Sequence, residues 1–69
     1  MDYTTAERRR MAKRGEAMSD LSFPIRNRQD LEDAIRSVGR ANDPDAAKRH
    51  IVRRARAMMM KSVLPLSWH

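Results

Sequence analysis

The stretch from Pro44 to about Lys61, reading PDAAKRHIVRRARAMMMK, constrains this chain more than any other. Asp43 offers a side-chain oxygen to cap a helix there, and Pro44 suits a first helical turn, where its missing N–H costs nothing. At 100° per residue from Ala47, the apolar Ile51, Val52, Ala55, Met58 and Met59 fall between about 20° and 140°. Arg49, Arg53 and Arg56 fall near 180–240°, and His50, Lys61 and Arg54 near 300–340°, on the other side. One element must therefore supply half of a core and much of the charge. Lys48, at about 100°, breaks the apolar face and must snorkel out over it.

A partner for that stripe lies upstream. Leu31, Ala34, Ile35 and Val38 recur at i, i+3, i+4 and i+7, one face of a helix that Asn27 can cap and that begins at Arg28. Ala41-Asn42-Asp43-Pro44 is a short connection, so the two helices are expected to pack as a hairpin. Phe23 before Pro24 is expected in extended backbone, with Phe23 and Ile25 lying across the helices. Pro65 stops the second helix, and Trp68 is the large aromatic available to seal the core from an apolar tail. The acids Asp30, Glu32 and Asp33 are explained by the positive end of a helix dipole rather than by metal or acid–base chemistry.

Ahead of this hairpin, Thr4 and Glu7 have capping-box spacing, and Arg8, Arg9, Arg10, Lys13 and Arg14 follow before Gly15. The apolar residues Ala6, Met11, Ala12, Ala17 and Met18 do not make a wide stripe, and a short helix without a face to bury is marginal in water. The expected fold is thus all-α: a short hairpin of two main helices with an extended lead-in and an apolar C-terminal tail, plus a frayed basic N-terminal helix or arm. Residues 1–20 are the flexible arm and residues 21–69 a single small helical domain.

Sixty-nine residues bury only a modest core, which argues against a deep catalytic cleft. There is no cysteine, and His50 and His69 are too far apart to pair on a helix, so no metal site and no cofactor are expected. No nucleophile–base pair or phosphate-cradling glycine loop is present, and the chain reads as no enzyme, with no small-molecule substrate. Neither a run long enough to span a membrane nor a secretory signal is evident, which implies a cytoplasmic protein.

Charge narrows the partners. The net charge is +6, and residues 44–69 hold six bases against Asp45 alone, whereas the two preceding segments are nearly balanced. The primary reading is a binding module that presents Arg49, Arg53, Arg56 and Lys61, with Arg8, Arg9 and Arg10 of the arm, to nucleic-acid backbone or an acidic partner. The second reading is a protein-docking module using Met60, Leu64, Leu66 and Trp68; Met60, near 220°, falls on the basic side of a straight helix. So small a core also gives the chain reason to form a homodimer.

The residues Phe23-Pro24-Ile25-Arg26-Asn27, Asp30-Leu31, Ala34-Ile35, Gly39-Arg40-Ala41, Ala46 to Ile51, Arg54 to Ala57, Leu64-Pro65 and Trp68 together resemble a small domain of unknown function seen in actinobacteria and their phages. The resemblance covers about two thirds of the chain. It implies a phage or prophage source and a compact helical module, sometimes appended to head-maturation proteins, without catalytic residues. Where that pattern has a glycine after the second helix, Met59-Met60 continues it here, and the first twenty residues fall outside the likeness. Leu64-Pro65-Leu66 is in turn similar to the end of short peptides that dock on the bacterial DNA-polymerase sliding clamp, which would make the docking target a host replication protein. The glutamine that opens such peptides is replaced by Lys61, and Ser62 stands at an apolar position.

Overall fold

The computed structural model describes residues 3–68. Their regular structure is all helical, with no strand among them: α1 (Thr5–Lys13), α2 (Arg28–Ser37) and α3 (Pro44–Ala57), with single 3-10 turns at Val38–Arg40, Lys61–Val63 and Leu66–Trp68. All three helices begin where their capping residues predict. Asn27 Oδ1 accepts from the Asp30 N–H at 2.9 Å, Asp43 Oδ1 from the Ala46 N–H at 3.1 Å, and Thr4 and Glu7 complete a reciprocal capping box.

α2 and α3 pack as the expected hairpin. Leu31 and Ala34 of α2 meet Ile51 and Ala55 of α3 in a buried cluster that Ile25 of the lead-in and Leu64 of the tail complete. Phe23, Ile35, Val38, Val52, Met58, Met60, Val63 and Trp68 pack around it half-buried. The lead-in and tail therefore close the two open sides that a pair of helices leaves.

α1 is formed and tied to the hairpin, which its thin apolar stripe did not foretell. Met11 is fully buried and Ala17 nearly so. The Tyr3 hydroxyl donates to Asp30 Oδ2 at 2.7 Å, and the Ile25 N–H donates to the Glu16 carbonyl at 2.7 Å. Tethers at both ends of the segment do what a wide apolar face would otherwise do. Asp30, 2 % exposed, also accepts from the Arg26 N–H at 3.1 Å, so this acid of the α2 first turn is a buried junction between α1, the lead-in and α2.

α3 is shorter than the sequence suggests. It stops at Ala57 instead of running to Lys61, because Met59 turns into left-handed backbone at φ +58°. The Met60 N–H reaches the Ala55 carbonyl at 2.7 Å and the Met59 N–H the Arg56 carbonyl at 3.1 Å, which is the Schellman arrangement for ending a helix. α1 ends the same way, with Gly15 at φ +79° and the Glu16 N–H on the Met11 carbonyl at 2.8 Å. The position that glycine takes in α1 is held by methionine in α3. Methionine carries a left-handed penalty of roughly 1–2 kcal/mol that glycine avoids, part of which glycine returns as extra freedom in the unfolded chain. Met59 is 92 % exposed, so its side chain has no packing to lose. Met59→Gly is expected to raise the melting temperature by a few degrees, for a net gain of about 0.5–1 kcal/mol; a thermal melt followed by circular dichroism checks it, and a lower melting temperature would contradict the left-handed geometry.

Phe23 also departs from expectation. Its φ is +51° rather than extended, in a loop where Leu21 has φ +71°. Its carbonyl accepts a hydrogen bond from His50 Nε2 at 3.0 Å, and this tie to α3 holds the backbone against the preference set by Pro24.

Candidate functional site

Arg49, Arg53 and Arg56 stand at i, i+4 and i+7 along α3, and all three are exposed on the side away from Ala47, Ile51 and Ala55. Their common face follows from the same periodicity that buries the stripe. With Lys48 and Val52 they line a shallow depression in which Asp45 is the only acid among the described residues. Among the described residues, no carboxylate lies within ion-pair distance of Arg49, Arg53 or Arg56, whereas Arg28 is paired with Glu32 and Arg36 with Asp33 on α2. The three α3 arginines thus keep their charge unpaired, while the α2 cations Arg28 and Arg36 are locally neutralised.

Beside this depression runs a second concavity, between α3 and the turn that follows α1. Arg14 and Ser19 form one wall, Arg49 and Arg53 the other, and His50 and Arg54 lie between them. His50, which the helical wheel put among the basic residues, is only 3 % exposed. Since a carbonyl can only accept, Nε2 carries the proton in its bond to Phe23. Burial pushes the imidazole below its usual value of 6.5, by more than the Phe23 bond lifts it, so the ring is neutral at pH 7.

Arg54 is likewise turned inward. Its Nε donates to the Ile25 carbonyl at 3.1 Å and its Nη2 stands 4.0 Å from Glu16 Oε2. Glu16 also receives Arg14 Nε at 3.1 Å and faces Arg26 Nη2 at 3.8 Å, so one carboxylate is shared by three guanidinium groups. That junction is positively charged in sum, and with the Ile25 carbonyl it holds Arg54, whose side chain is 15 % exposed. Arg54 did not stand out in the sequence as a site residue, because its partners, the Ile25 carbonyl and Glu16, lie far from it in the chain.

The remaining sequence candidates are scattered. Arg8 is half-buried in a depression with Asp30 and Asp33 of α2, and Arg9 and Arg10 are exposed on α1. None of the three lines either α3 concavity; Arg14 is the α1-side cation that does. Lys61 is exposed but sits in the 3-10 turn past the end of α3, so it does not continue the arginine face as a longer helix would have made it do.

The docking set is largely withdrawn from solvent. Met60 packs against the core because α3 turns before it, and Leu64 is 4 % exposed within the core cluster. Trp68 is half-buried, with the Lys48 ammonium 5.4 Å from its ring centroid, the snorkelling contact that Lys48 was expected to need. Of the four, Leu66 alone is fully exposed, at 91 %. A clamp-binding peptide would have to offer Leu64 as well as Leu66, and Leu64 is committed to the core. Among the described methionines, Met59 is the exposed one instead.

Among the described residues, no group of acids and histidines could hold a metal ion, and no helix is long and apolar enough to cross a membrane. His69, the second histidine weighed as a metal ligand, lies outside the described residues. No family model, curated protein or solved structure matches the chain.

Proposed function

We propose that this chain is a small, non-enzymatic basic binding module of phage or prophage type, which binds the backbone of nucleic acid through the arginine face of α3. The observation that carries the reading is the alignment of Arg49, Arg53 and Arg56 on one exposed helix face without acidic partners among the described residues. Guanidinium groups so placed meet phosphate oxygens with paired N–H donors. Contacts of this kind position a duplex without reading its bases, so affinity is strongly salt-dependent and nearly indifferent to sequence.

Fluorescence anisotropy on a labelled DNA duplex tests this. Three phosphate contacts correspond to a slope of about −2.7 in log K against log salt. A flat salt response, or no binding at low salt, would overturn the reading. The second reading is docking to an acidic host or phage protein, favoured by the exposure of Met59 and Leu66 near the end of the chain. Retention of one protein from nuclease-treated lysate, coupled with no affinity for duplex, would select it.

A further inference from the structure

We infer that the groove between the turn after α1 and α3 is a seat for a single phosphodiester group, with Arg14 as its clamp on the far side from α3. The inference rests on the nucleic-acid reading and says how the strand lies. Arg49 and Arg53 line both this groove and the outer depression that holds Arg56, so they form a ridge between two basic hollows. A backbone that engages both hollows crosses α3 instead of running along it.

The groove is built for an anion from both walls. Arg14, Arg49, Arg53 and Arg54 all line it, and no carboxylate does among the described residues. Glu16 stands behind it and takes the Nε edge of Arg14, at 3.1 Å, which leaves that guanidinium's two η nitrogens for a ligand. Arg54 is held likewise by its Nε bond to the Ile25 carbonyl. Arg54, with its side chain 15 % exposed, loses little freedom when a phosphate arrives, and the Glu16 bond draws the more exposed Arg14 toward the same groove. His50 donates to Phe23 and is neutral, so the floor contributes polarity without charge, and exposed Ser19 adds a hydroxyl donor. The arrangement suits one compact anion with oxygens on several sides, such as a phosphodiester.

The test is a salt series of duplex affinity for the full chain and single variants. Arg14→Ala is expected to reduce the salt slope by about 0.9, so that its loss of affinity between about 50 and 200 mM salt is roughly 3.5-fold smaller. Arg14→Lys is expected to keep the slope. Arg36→Ala, which removes the same net charge from α2, is expected to leave it unchanged. Should Arg14→Ala melt early for want of its Glu16 bond, Arg14→Gln keeps the stem and carries the same expectation. An unaltered slope for a folded Arg14 variant overturns the phosphate seat while leaving the α3 reading in place. Absence of salt-dependent binding by the unmodified chain overturns both, and equal competition by inorganic phosphate and by duplex at matched phosphate concentration would reassign the groove to a free anion.

Discussion

Reversing charge at Arg53 and Arg56 together, Arg53→Glu with Arg56→Glu, is expected to lower affinity for duplex DNA by a factor on the order of 100 or more at about 50 mM salt. The figure follows from counterion release. Each phosphate contact contributes about 0.9 log unit per decade of salt below molar concentration, so two lost contacts are together worth somewhat over two log units there, and repulsion adds to them. Both side chains are exposed, and neither has an acidic partner among the described residues, so helicity and melting should barely move. Anisotropy and a thermal melt on one preparation give both readings. Collapse of the fold with the loss of binding would show that this face is structural.

The largest expected effect on stability comes from Ile51→Ala. Ile51 is fully buried on the α3 stripe and packed in the cluster with Ile25, Leu31 and Leu64. Removing its outer carbons costs about 2–5 kcal/mol, from lost burial and the cavity left behind. A chain of this length has about 3–10 kcal/mol in all, so the substitution removes a large share of its stability. Urea titration should show the midpoint falling steeply for Ile51→Ala and hardly moving for Leu66→Ala, whose leucine is almost wholly in solvent. Equal shifts for the two would mean that the core has been drawn in the wrong place.

Much of the hairpin was legible because its signals are local. Asn27 and Asp43 cap helices within three residues of themselves, and the stripes of Leu31 with Ala34 and of Ala47, Ile51 and Ala55 need only the period of one helix. The end of α3 was not legible. Its stop is made by backbone turning left at Met59, a position where glycine would have announced it, and three methionines in a row continue the helical pattern on paper. The helix therefore ends before Met60, where the sequence pattern would have carried it on to Lys61. That one difference moved Met60 into the core and took Lys61 off the arginine face.

His50 and Arg54 were misplaced for another reason. A wheel drawn for two packed helices has one inner side, but α3 is covered on a second side by the lead-in and by the turn after α1. Carbonyls of Phe23 and Ile25, which no side-chain pattern encodes, are the partners that draw these two residues inward. The groove of Arg14, Arg49 and Arg53 exists because of the same covering, which is why the arginine face of α3 could be read from sequence and its opposite wall could not.

The tethers of the N-terminal segment have a consequence for how the molecule opens. Tyr3 and Glu16 hold residues 3–20 to the hairpin through Asp30, Ile25 and Arg54, while the main cluster of Leu31, Ile51 and Leu64 closes without any residue of α1. Such a segment can detach as a unit below the free energy of global unfolding, and its amides then exchange with solvent ahead of those of α2 and α3. Arg14 belongs to the detachable part and Arg49 and Arg53 to the permanent one. Thermodynamic reciprocity then requires that whatever ligand bridges them slow the opening by the same factor that docking of the segment adds to affinity.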